Sequence, residues 1–164
     1  RVKKFWTFDG QLKEAFCPQS VTLVLEDDID ISRGDMLVGA DPLPGHSSDL
    51  VARVCWMDSR PLQRGQIFIL KHGTQTAQTT VSSLDNRINI QTYEPEPEPT
   101  ELAMNDIGEI KLRTAKPVVF DGYTTNRLTG SFILAGQGTN ATVAAGMLHT
   151  PSEQYKPEYT DFAI

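Results

Sequence analysis

The chain has 164 residues, 39% of them hydrophobic, and a formal net charge of -6 at pH 7. That length suits one domain, or one small domain plus a piece of another. The acidic balance is a poor match for a phosphate backbone and disfavours nucleic acid as a partner, and no apolar run approaches the roughly 18 residues of a membrane-spanning helix. No secretory signal pattern opens the chain. It begins at Arg1 in strand-like sequence, as expected of a fragment of a longer protein. Cys17 and Cys55 are far apart and flanked by no metal motif, and they read as free thiols in a reducing compartment.

Residues 1–8 carry Val2, Phe5, Trp6 and Phe8 among polar residues, a strand pattern. Asp9-Gly10 is a turn dipeptide. Residues 21–26 predict a second strand, apolar enough to be central. An acidic loop follows, and residues 36–39 read as a short closing strand. Pro42, Pro44, Gly45 and two serines mark a linker over residues 42–48. Leu50, Ala52, Val54 and Trp56 then alternate, as on one face of a strand. Residues 61–65 predict a turn, residues 66–72 a strand, and residues 76–81 another that continues toward Ile90.

Glu94, Glu96 and Glu98 alternate with Pro95, Pro97 and Pro99, which predicts an extended, solvated loop outside any sheet. Residues 107–112 and 117–120 read as strands. Residues 127–147 form a hairpin signature. Apolar residues flank a turn with Gly136, Gly138 and Asn140, which tolerate positive φ, while Gly130 and Gly146 suggest bulges or close backbone approach. From Thr150 the polar tail, residues 150–164, is expected to pack loosely.

The whole is an all-β pattern: a partial β-barrel in residues 1–41, followed by a closed six-stranded antiparallel β-barrel in residues 49–149. Closure would remove exposed edges and stabilise a modest core.

The chemistry-bearing motifs are few. Neither a Gly-x-x-x-x-Gly-Lys-[Ser/Thr] loop nor a Gly-x-Ser-x-Gly elbow is present. Asp27, Asp28, Asp30 and Asp35 lack the spacing of an EF-hand and read as a solvated turn. His72 has no orienting partner or nucleophile evident in the sequence and reads as structural or as an interface residue. The arginines are scattered and predict no basic groove.

Several segments resemble a known family. They are Phe8-Asp9-Gly10, residues 26–35 (Glu-Asp-Asp-Ile-Asp-Ile-Ser-Arg-Gly-Asp), Lys71-His72-Gly73-Thr74, Asn105-Asp106-Ile107-Gly108, residues 120–134 around Asn126-Arg127-Leu128-Thr129-Gly130, and residues 139–147. Together they resemble the GTPase subunits of bacterial sulfate adenylyltransferase, relatives of the elongation factors of the Tu type. The resemblance implies a GTP-binding domain followed by two β-barrels, with residues 1–41 the later half of the first barrel (domain II) and residues 49–149 the second (domain III). The site for GTP and magnesium would then lie upstream of Arg1, leaving this fragment non-catalytic and without cofactor or metal. The implied partners are the GTP-binding domain and the catalytic subunit, in the cytoplasm, where the parent couples GTP hydrolysis to synthesis of adenosine 5′-phosphosulfate from ATP and sulfate. His72 and Arg127 are the interface candidates, and residues 1–41 a possible homodimer contact. The rival expectation is the barrel pair of a translation factor that binds aminoacyl-tRNA, against which the net charge of -6 argues.

Overall fold

The computed structural model describes residues 1–39 and 41–150. The chain divides into two compact units, residues 1–32 and 33–164, and every regular element among the described residues is a strand.

The first unit is a three-stranded antiparallel sheet of β1 (Val2–Thr7), β2 (Gly10–Leu12) and β3 (Thr22–Leu25), in the order β2-β1-β3. Gly10 turns β1 into β2 with φ of 122°, a region that glycine enters without a side-chain clash. The central strand is β1, not β3: Phe5 pairs Leu12 on one side and Leu23 on the other. The apolar run of residues 21–26 therefore marks an edge strand, and its side chains are exposed or half-buried. None of residues 1–32 is fully buried. Residues 36–39, expected as a closing strand, form no strand.

The second unit contains β4 (Gly45–Trp56), β5 (Leu62–Gln63), β6 (Ile67–His72), β7 (Gln75–Ile88), β8 (Pro95–Pro97), β9 (Glu101–Leu102), β10 (Ile107–Phe120), β11 (Ser131–Gly136) and β12 (Thr142–Leu148). Six of these pair in the order β10-β4-β12-β11-β6-β7, and a β10–β7 pairing closes the ring. This is the expected closed antiparallel barrel. β4 begins at Gly45, inside the stretch read as linker, and residues 45–47 pair with residues 118–120 of β10. The tail lies, from residue 151 onward, outside the described residues.

Strand alternation fills the interior. Leu50, Ala52, Val54 and Trp56 are all at most 1% exposed, and they meet Leu70, Leu112, Phe120, Phe132, Leu134 and Leu148 in one core. Burying a side chain of this size is worth about 1.5–3 kcal/mol. Trp56 stacks edge-on against Phe68 at 5.5 Å, and its indole N–H donates to the Arg60 carbonyl at 2.8 Å.

The Glu-Pro repeat is the main correction. Residues 95–97 are strand β8, paired antiparallel with β7 through Asn86↔Pro97, Arg87↔Glu96 and Ile88↔Pro95. Asn89 N–H donates to the Glu94 carbonyl at 2.9 Å, and Glu98 N–H to the Asp85 carbonyl at 3.0 Å. Because strand residues face alternate edges, Glu94, Glu96 and Glu98 turn their backbone groups to β7 and the prolines turn theirs away. Proline removes only the donors that have no partner.

Candidate functional site

Among the described residues, the barrel interior holds four buried polar residues, His72, Gln75, Thr79 and Thr114, and all of them serve the backbone. Strand β10 shifts register against β4 between Arg113 and Val118, which leaves backbone groups there short of ladder partners. Thr79 Oγ1 donates to the Arg113 carbonyl, Thr114 Oγ1 to the Ser48 carbonyl and Gln75 Nε2 to the Val119 carbonyl, while Val119 N–H donates to Gln75 Oε1. His72 sets Nδ1 2.8 Å from the Ser131 carbonyl and Nε2 3.1 Å from the Val119 carbonyl. A neutral imidazole carries one N–H and donates to one of these at a time. His72 is 1% exposed and ties β6 to β11 and β10. The interface candidate at the surface is Arg127, which is exposed.

The outer face of β4, β10 and β7 neutralises itself. Arg53 pairs with Glu109 at 2.7 Å, Lys111 with Asp85 at 3.1 Å and Arg113 with Asp49 at 2.7 Å. Arg87 pairs with Glu96 and lies 3.7 Å from Asp106. The Arg87 guanidinium, helped by Asn89, holds the Glu96 carboxyl below its ordinary value, and the Arg60 guanidinium does the same to Asp58. No group of acidic, histidine or cysteine side chains among the described residues is placed to hold a metal ion. That includes Asp27, Asp28, Asp30 and Asp35.

The remaining outer face, across β4, β12, β11 and β6, is different. A groove of about 520 Å³ runs over it, lined among others by Arg53, Cys55, Lys71, Tyr123, Ile133 and Met147. One wall is the loop of residues 121–130. Asp121 N–H donates to the Thr129 carbonyl, Asn126 N–H to the Gly122 carbonyl and Tyr123 N–H to the Leu148 carbonyl. At Gly130 a Cβ would stand 2.5 Å from the Tyr123 nitrogen, so only glycine lets the loop close on β11. This ordered loop holds Leu128 against the groove, 84% exposed. Sequence reasoning missed the groove because its lining comes from five strands, β4, β6, β10, β11 and β12, and two loops. The legible sign was a leucine among turn residues at 126–130, where no strand alternation required one.

A closed six-stranded barrel in one unit and a small three-stranded sheet in the other, with a structural barrel interior and an open groove on the barrel's outer face, define a β-barrel module of the translation-factor type. The comparisons with known proteins bear this out. The GTP-eEF1A C-terminal domain-like family matches residues 49–149, and the chain belongs to it. Sulfate adenylyltransferase subunit 1 of Shewanella woodyi is 41% identical over 167 residues, covering all of this chain and 35% of that protein. The bifunctional enzyme CysN/CysC of Rhodopirellula baltica is 43% identical over 148 residues, covering 90% of this chain and 23% of that protein. The crystal structure of sup35 complexed with GDP superposes with a TM-score of 0.77 over 91% of this chain and 37% of that one, at 19% identity. That last likeness is one of fold. This chain thus spans about a quarter to a third of the length of these curated relatives.

Proposed function

We propose that this chain is the barrel portion of the GTPase subunit of a sulfate adenylyltransferase. In this reading, residues 1–41 belong to the later part of the second domain and residues 49–149 form the third. The parent couples GTP hydrolysis, with magnesium, to synthesis of adenosine 5′-phosphosulfate from ATP and sulfate in the cytoplasm. The chain's own part is non-catalytic: it packs against the GTP-binding domain and the catalytic subunit, with Arg127 and the ordered loop that carries it as an interface element. The observation that carries the reading is the alignment of the whole chain with sulfate adenylyltransferase subunit 1 at 41% identity. Two facts support the non-catalytic role: the four buried polar residues among the described residues all bond to backbone, and no phosphate-cradling loop is present in the sequence. No helix among the described residues is long and apolar enough to cross a membrane.

Two measurements test this. Calorimetric titration of the chain with a GTP analogue and magnesium is expected to give no heat of binding, and a micromolar dissociation constant overturns the non-catalytic assignment. Co-expression with the catalytic subunit of the same organism's sulfate adenylyltransferase is expected to yield a complex that Arg127→Glu weakens. Absence of any complex overturns the packing role.

A further inference from the structure

We propose, resting on the function above, that the barrel end formed by Met57, Met104 and residues 89–94 docks the catalytic subunit, with Tyr93 and Ile90 as its anchors. Strand register brings these segments to one end of the barrel. Ile107, which opens β10, pairs with Cys55 on one side and with Ile88 on the other. Cys55 is one residue from the end of β4, and Ile88 is the last residue of β7. Just beyond those strand ends lie Met57, Met104 and the turn of residues 89–94. Asn105 N–H donates to the Trp56 carbonyl at 2.7 Å, which ties the two methionine-bearing segments together. Met57, Met104, Ile90 and Tyr93 are 41%, 53%, 67% and 80% exposed. Exposed apolar residues are ordinary when scattered singly, whereas several gathered at one place mark an interaction site.

The turn of residues 89–94 is built to present side chains rather than to bury them. Asn89 Oδ1 accepts from the N–H groups of Gln91 at 2.9 Å and Thr92 at 3.2 Å. Tyr93 N–H donates to the Asn89 carbonyl at 2.7 Å, and Asn89 N–H to the Glu94 carbonyl at 2.9 Å. These bonds hold Tyr93 at φ of 60°, a region that bulky residues seldom enter. Strain kept at an exposed side chain serves recognition, since no packing repays it. Because the turn is already ordered, little freedom is lost on binding. Tyrosine is a common interface anchor, and the two methionines adapt to the surface they meet. Charge defines the partner's chemistry. Residues 89–106 carry Glu94, Glu96, Glu98, Glu101 and Asp106 and no lysine or arginine. Arg87 takes up Glu96 and Asp106, while Glu94 and Glu98 are exposed. The complementary surface is an apolar pocket edged by lysine or arginine.

Calorimetric titration of the catalytic subunit of the same organism's sulfate adenylyltransferase with the full chain tests this. Tyr93→Gly and Ile90→Ser are each expected to raise the dissociation constant about tenfold or more. Glu94→Lys is expected to weaken binding most at low salt, where charges are least screened. Glycine adopts φ of 60° without strain, so Tyr93→Gly is expected to leave the barrel's melting temperature unchanged or higher. A side chain that merely held the turn would lower it. Equal affinity of the parent chain and both variants overturns the docking surface and leaves the proposed function standing, since the complex still forms. No complex with the parent chain overturns the proposed function and this surface with it. Variants that lose only self-association, by sedimentation velocity, assign the barrel end to a second copy of the chain and overturn the proposal.

Discussion

At the scale of single residues, the clearest dependence is between Phe132 and Gly146. They face each other across β11 and β12, and the Phe132 ring lies where a Cβ on Gly146 would stand. Phe132 is 4% exposed, so Phe132→Ala is expected to cost about 3–5 kcal/mol in urea denaturation. Gly146→Ala forces the ring aside and is expected to cost about 1–3 kcal/mol as overpacking. Combining Gly146→Ala with Phe132→Leu should cost less than the sum of the two single changes, because the smaller side chain frees the space, and strict additivity would refute the contact. The glycine was readable in the sequence as a close approach, since a strand-interior glycine carries no packing side chain of its own. Its partner was not readable, because the ring that covers it depends on the register of the pair. Gly136 illustrates the converse: the sequence suggests positive φ there, but only Gly138 and Asn140 of the turn adopt it, at 80° and 54°.

Among elements, the instructive one is β8. The sequence shows the alternation of proline and glutamate, but reading proline as a general breaker hides its period of two. The same period places every proline on the free edge and every glutamate backbone on the β7 side. Exposed edges invite pairing with other chains, so these prolines keep the outermost strand of the unit closed. Replacing Pro95 and Pro97 by threonine restores two outward N–H donors and is expected to give concentration-dependent association by sedimentation velocity. A variant that stays monomeric at the highest soluble concentration would show that the edge needs no protection. The side-chain anchor of β8 is the Arg87–Glu96 pair. Arg87 holds the Glu96 carboxyl below its ordinary value of 4.5, so its contribution is present above that pH and is lost as the pH falls through the lowered value. The pair is exposed and its effect is small and local. Glu96→Gln is expected to lower amide protection at Asn89 and Glu98 at pH 7, and to make no difference at a pH where Glu96 is protonated in the parent chain. Equal protection at pH 7 would mean that backbone pairing alone holds the strand.

For the molecule as a whole, the two units differ in what they bury. The barrel was legible because closed strands bury one face each, and a buried face writes an alternating pattern into the sequence, as at residues 50–56. Residues 1–32 carry strand-forming residues without a buried side chain among them, so their pattern gave the strands and misplaced the centre of the sheet. Val2, Trp6, Leu23 and Val24 are each 36–42% exposed, Phe16 is 66% exposed and Phe8 is fully so. Three strands need a covered face for stability, and no strand among the described residues pairs with the outer edge of β2 or of β3. Water satisfies the backbone groups of those edges but leaves the apolar side chains exposed. A second copy of the same segment, paired edge to edge along β3, would satisfy both. We therefore expect this chain, alone and concentrated, to form a homodimer through residues 1–41. Sedimentation equilibrium should show the dimer, and Val24→Lys, which places two like charges near the shared edge, should abolish it while leaving the barrel's melting transition in place. A chain that remains monomeric at millimolar concentration, with fast amide exchange throughout residues 5–25, would show instead that this sheet frays when nothing covers it.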